Sequence, residues 1–193
     1  AEDLVVWDQD RQTNWQKELF GHSAPILNTN LSYAGGNAQT SFRAGASYTR
    51  QGNVFPGDHQ FEKKTANLSL HHTARDGKFS MNALVNYGLT DSDLFSSANF
   101  VATALNLPPN APALYNEDGS LNWAQSSWSN PVAILKSTGE NSTKTLVSNL
   151  NLEYKMLPGL SLKSNFGYTT LDNDNINLLP IQISDPAIWH RVS

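Results

Sequence analysis

The chain contains no cysteine, which excludes disulfide staples, thiol nucleophiles and thiolate metal ligands. No apolar run approaches the roughly 18 to 20 residues needed to cross hydrocarbon as a helix. That excludes helical spanning only. A membrane-crossing strand needs about 9 to 11 residues, half of them polar, so a mean hydropathy of -0.43 is compatible with a barrel wall. Charged residues are sparse, at 16% with a net charge of -4, and an acidic balance argues against nucleic acid, which is met by basic surfaces. At the N-terminus Glu2 and Asp3 stand where a secretory leader would carry basic residues and an apolar core. The chain reads as an internal piece of a longer protein. No Ser-His-Asp arrangement, phosphate loop or carboxylate pair stands out, so neither an enzyme nor a cofactor is expected. No metal site is expected either. His71-His72 would point to opposite faces of a strand, and Asp172-Asn173-Asp174-Asn175 lacks the glycine and terminal glutamate of a calcium loop and reads as a solvated loop.

What the 193 residues do contain is alternation. From Pro25 to Gln51 two runs flank Gly35-Gly36-Asn37. Leu27, Thr29, Leu31 and Tyr33 share one parity and Asn28, Asn30 and Ser32 the other. Phe42, Ala44, Ala46 and Tyr48 then alternate with Ser41, Arg43, Gly45 and Ser47. A second hairpin, about 61–90, turns at Ala74-Arg75-Asp76-Gly77, and its returning arm places Phe79, Met81, Ala83, Val85, Tyr87 and Leu89 at period two. A third, about 144–171, turns at Leu157-Pro158-Gly159. Its arms put Leu146, Leu150, Leu152 and Tyr154, then Phe166 and Tyr168, on one face. The fold expected is an all-β antiparallel meander of about six long strands. Between the second and third hairpins lies a long loop, about 91–141. In it Ser97 to Leu105 has helical spacing, ended by Pro108-Pro109. Asn116-Glu117-Asp118-Gly119 reads as a turn. Near the N-terminus Trp15, Leu19 and Phe20 are spaced for a short helix that Thr13 or Asn14 caps and Gly21 ends.

Two readings fit the alternation: a transmembrane wall, and a secreted β-sandwich binding a glycan or a surface. Three features favour the wall. The turns within hairpins are tight while the links between them are long, as on the two rims of an outer-membrane barrel. Strands of about ten to thirteen residues exceed the usual five or six. With the tight turns at the periplasmic rim, Tyr33 and Tyr154 fall near that rim and Tyr48, Tyr87 and Tyr168 near the other, all at apolar parity. That is the aromatic girdle expected where hydrocarbon meets headgroups. The lipid-facing set is then Leu31, Tyr33, Phe42, Tyr48, Leu68, Leu70, Phe79, Met81, Val85, Tyr87, Leu150, Leu152, Tyr154, Phe166 and Tyr168. The lumen-facing set is Asn28, Asn30, Arg43, Asn67, Asn82, Asn86, Asn149, Asn151, Lys163 and Asn165, lining a plug, water or a solute path. Asparagine both donates and accepts, which suits sugars and peptide groups. In the long loop Trp123 and Trp128 are candidates for stacking on a ligand or packing the loop.

The segments Thr13-Asn14-Trp15-Gln16-Lys17-Glu18-Leu19-Phe20, Asn30-Leu31-Ser32-Tyr33-Ala34-Gly35-Gly36-Asn37, Gly45-Ala46-Ser47-Tyr48 and Gln51-Gly52 resemble the barrel of SusC/RagA-type TonB-dependent outer-membrane transporters. Tyr115-Asn116-Glu117-Asp118-Gly119-Ser120 and Asn130-Pro131 extend the resemblance through the long loop. Asn14 stands where the family more often has aspartate, a change that keeps the helix cap. The resemblance implies a 22-stranded barrel closed by an N-terminal plug. It also implies a SusD-like surface lipoprotein as partner, TonB as energy coupler, and an oligosaccharide or peptide as cargo. Neither plug nor TonB-binding segment occurs in these residues, so the expectation is a segment of the barrel wall.

Overall fold

The computed structural model describes residues 2–93 and 97–189. Six strands form one antiparallel sheet in sequence order: β1 (Ile26–Gly36), β2 (Thr40–Gly52), β3 (Gln60–Thr73), β4 (Phe79–Asp93), β5 (Thr138–Leu157) and β6 (Leu160–Leu178). Each strand pairs with its neighbours in sequence, and β1 and β6 have one partner each. All six belong to a single sheet, and none of their described side chains is buried. The second, stacked sheet that a sandwich requires is not formed among the described residues.

The three hairpins stand where the alternation placed them, with two revisions. Gly35 and Gly36 belong to β1, and the turn is carried by residues 37–39. The Asn37 Oδ1 accepts from the amides of Gln39 at 2.9 Å and Thr40 at 2.8 Å, closing the turn by a side chain. The third hairpin is longer than 144–171, because β5 starts at Thr138 and β6 runs to Leu178. Residues 139–143 and 172–177 carry a single large apolar side chain, Ile176, so no apolar parity marks them, yet the ladder continues through them from Gly139↔Asn177 to Thr143↔Asn173. The long loop is correspondingly shorter than 91–141. Asp172-Asn173-Asp174-Asn175 is strand rather than loop, with Asp172 opposite Lys144. Alternation sends Asp172 and Asp174 to one face and the two asparagines to the other.

The buried core lies outside the sheet. The short helices α1 (Glu2–Val5) and α2 (Trp15–Phe20) precede β1, and α3 (Ser97–Asn106) follows β4. Asn14 caps α2 by accepting from the Lys17 amide at 3.0 Å, and Gly21 follows the last helical residue. In α3, Phe100 and Ala104 are buried one turn apart. Trp15, Leu19, Phe100, Ala104, Ala111, Leu114 and Val132 form one cluster, with Phe20, Phe55 and Trp128 packed around it. Phe100 meets Phe20 and Phe55 edge to face at 5.9 and 5.5 Å. These residues come from the segment before β1, the β2–β3 link and the β4–β5 link, all at one end of the strands. The opposite end carries only the tight turns, two of which use glycine at positive φ, Gly77 at 66° and Gly159 at 83°. The last short helix, α4, spans Pro186–Trp189.

Candidate functional site

Residues directly opposite each other in an antiparallel ladder share a face, so the register assigns every strand residue to one of two surfaces. One cross-strand row runs Tyr33, Ala44, Leu68, Val85, Ser148, Tyr168. All five strand tyrosines fall on this surface, together with every residue expected to face lipid. The apolar side chains project into open space: Tyr33 is 69% exposed, Phe166 58% and Val85 38%.

The tyrosines form two oblique lines across the sheet. Tyr48 lies opposite Lys64, which lies opposite Leu89, two residues beyond Tyr87. Tyr87 lies opposite Leu146, two residues beyond the Ser148 that faces Tyr168. The line thus drops two residues, about 6.6 Å, for every two strands, about 9.6 Å. A girdle lying flat in a membrane plane gives such a slope when the strands tilt by about 35°, within the range of outer-membrane barrels. At the tight-turn end, Tyr154 lies six residues below the row of Tyr33, across four strand spacings. That second slope has the same sense and gives about 45°. On β4 the apolar parity runs unbroken from Phe79 to Leu89, about 33 Å of strand, which at such a tilt stands about 25 Å tall.

Beyond the upper line the same surface turns charged. The Tyr48 hydroxyl donates to Glu62 Oε1 at 2.7 Å, Lys64 Nζ lies 3.0 Å from Glu62 Oε2, and the Arg50 Nε donates to Gln60 Oε1 at 2.7 Å. Asp91, Lys144 and Asp172 continue this border.

The opposite surface is polar. It carries all ten residues expected to face a lumen, and the register brings some of them together. Arg43, Asn82, Asn149 and Asn151 line a cavity of about 430 Å³ with Ser41, Ser69 and His71. Asn82 and Asn151 also border a second cavity of about 310 Å³ with Glu153, Lys163 and Asn165, where Lys163 Nζ lies 3.6 Å from Glu153 Oε1. Asn149 donates to Asn165 at 3.3 Å, and Asn151 donates to Asn149 at 2.7 Å. Asn28 accepts from Thr49 Oγ1 at 2.9 Å, and Asn67 lies against Gly45, whose missing side chain leaves it room. Asn30 and Asn86 line neither cavity.

One feature was not anticipated from the sequence, though parity reveals it once sought. Charges in the strands are segregated by face. The polar surface carries Arg43, Lys63, Lys155 and Lys163 against Glu153 alone, whereas the tyrosine surface carries three basic and six acidic residues, all at the long-loop end. The basic excess of the polar surface opposes the net -4 of the whole chain.

The two loop tryptophans separate. Trp128 packs between Trp7 and Trp15 at 6.3 and 6.5 Å, and its Nε1 donates to the Asn122 carbonyl at 3.0 Å, so it serves the loop core. Trp123 lies between two cavities of about 810 and 780 Å³, next to Ala124, Gln125 and Ser126, which hold φ of 44°, 59° and 66°. Nearby, the Asn116–Gly119 turn is closed by the Gly119 amide donating to Asn116 O at 3.0 Å. Hydrogen bonds from the Ser120 hydroxyl, at 2.6 Å, and amide, at 2.9 Å, hold the Asp118 carboxyl below its ordinary value. No group of histidine and carboxylate side chains able to hold a metal ion occurs among the described residues. No protein-family model matches the chain, and no curated protein matches it.

Proposed function

We propose that this chain is a segment of the wall of a 22-stranded outer-membrane β-barrel, a SusC/RagA-type TonB-dependent transporter that imports oligosaccharides or peptides. The observation that carries the reading is the pair of oblique tyrosine lines. They border an apolar face of membrane height, and both slopes correspond to the strand tilt of such barrels. In this reading the Leu/Tyr surface meets acyl chains in the outer membrane of a Gram-negative bacterium, with tyrosine hydroxyls at the headgroups. The asparagine-rich surface faces the plug and the solute path. The cap of helices and loops over the long-link rim stands on the outside, where a SusD-like lipoprotein docks. Energy comes through TonB, which engages the plug, so transport belongs to the complete protein and the chain is not itself an enzyme. The motif resemblance around Trp15, Tyr33 and Asn116 supports the family, and the tight-turn versus long-link asymmetry supports the orientation.

Val85 lies near the middle of the apolar band on β4. In the complete barrel Val85→Arg is expected to cost about 2 to 4 kcal/mol of stability in bilayers. Asn86→Arg, one residue on and facing inward, should leave folding within about 0.5 kcal/mol, as for an exposed polar site. Equal behaviour of the two variants would overturn the assignment of faces.

A further inference from the structure

Four observations on the polar surface converge on Arg43. Arg43, an exposed residue of β2, lines the cavity of about 430 Å³, a volume in the range of small-molecule sites. No carboxylate reaches it among the described residues, the four ion pairs there lying elsewhere. Two of the neighbouring carbonyl oxygens, those of Asn82 and Asn149, are already used. The Asn82 Oδ1 lies 2.6 Å from His71 Nδ1, and a carbonyl oxygen only accepts, so the imidazole donates there. His71 Nε2 is then left to accept from Thr73 Oγ1 at 3.2 Å, and Asn149 Oδ1 is taken by Asn151. The Asn82 amide nitrogen and the five N–H groups of Arg43 remain as donors without acceptors. Finally, the surface around them has a basic excess in a chain of net charge -4.

A concave site rich in unclaimed donors around one guanidinium is complementary to an oxyanion, and the planar fork of arginine matches a carboxylate in two parallel hydrogen bonds. We propose that the Arg43 cavity binds a carboxylate-bearing solute, with Arg43 as the fork and Asn82 as a lateral donor. The inference rests on the reading that this face borders a solute path, and it narrows that cargo to its acidic members.

The test uses the complete barrel in detergent micelles at 0.15 M salt, titrated with galacturonate and with its neutral counterpart galactose by calorimetry. Galacturonate is expected to bind at least about tenfold tighter, the effect of one charge-assisted pair. Arg43→Gln should remove that advantage, and Arg43→Lys, which keeps the charge and loses the fork, should recover only part of it. Asn82→Ala, which spares the cation, should weaken binding about threefold or more, as for one neutral hydrogen bond. Lys63 faces the same side but stands six residues up the neighbouring strand, about 20 Å away, beyond two screening lengths. Lys63→Gln should therefore leave the affinity within about twofold. Equal binding of galactose, or equal loss in the Lys63 and Arg43 variants, would overturn the proposal. So would failure of both galacturonate and a polyglutamate peptide to bind. These outcomes are independent of the Val85 measurement, so the site and the membrane face are tested separately.

Discussion

Asn130 shows how much one side chain can hold. It is buried at 4% exposure, its Nδ2 donates to the carbonyls of Leu114 at 2.6 Å and Asn122 at 3.0 Å, and its Oδ1 accepts from the Val132 amide at 3.1 Å. It thus caps the short helix Pro131–Lys136 and ties it to the loop core. Asn130→Ala is expected to cost about 2 to 3 kcal/mol, since it leaves buried carbonyls and an amide unpaired. Thermal melting followed by the near-ultraviolet signal of Trp128 reads the loss, because the Trp128 indole shares the Asn122 carbonyl. Asn130→Asp should cost more, as it sets a carboxylate against two carbonyl oxygens. Backbone conformation gives a second test at this scale. A Cβ at Gly159 or at Gly88 would meet nothing within 4 Å, but only Gly159 has a positive φ, 83°. Gly159→Ala should lose about 1 kcal/mol and Gly88→Ala should be neutral or slightly stabilising in urea unfolding.

Among the elements, the Asn116–Gly119 turn makes a pH-dependent prediction. Its Asp118 carboxyl, hydrogen-bonded by Ser120, is held below its ordinary 3.8. A lowered carboxyl contributes stability that is present above 3.8 and fades as pH falls through the lower, folded value. Protection of the Ser120 amide against exchange should drop in that acid window, and Asp118→Asn should abolish the drop. The same fall in the variant would assign it to another group. This turn was legible in the sequence because Asn, Asp and Gly supply its chemistry locally. The hairpins were legible for a similar reason: Gly77 and Gly159 mark the turns, and period two marks the arms. The tops of β5 and β6 were not, because residues 139–143 and 172–177 have no apolar parity and are held by the ladder and by cross-strand polar contacts, Asn173 Nδ2 donating to Thr143 Oγ1 and Ser142 Oγ to Asp91 Oδ1. Nor was the loop core, whose Trp15, Phe55, Phe100 and Val132 come from separate links and meet only once the sheet has brought those links together. The cavity around Arg43 required the register, since Asn82 and Asn149 come from strands that pair only after hairpin closure.

The whole molecule presents an imbalance. Its buried core sits in the cap, while the sheet, the larger part, exposes both faces. An apolar surface of that extent is a site of association, and in the proposed reading its height, its tyrosine borders and its charged upper edge set it in a membrane. The most direct measurement is a spin-label scan of β4 from Met81 to Leu89, in the complete barrel in lipid bilayers, reading collision with oxygen and with a water-soluble nickel complex. The account predicts oxygen-rich, nickel-poor signals at 83, 85 and 87 and the reverse at 82, 84 and 86. Labels at Tyr48, Tyr87 and Tyr168 should report one common depth despite their different positions along their strands. Equal nickel access at odd and even positions, or depths that follow the hydrogen-bonded rows rather than the oblique line, would contradict it.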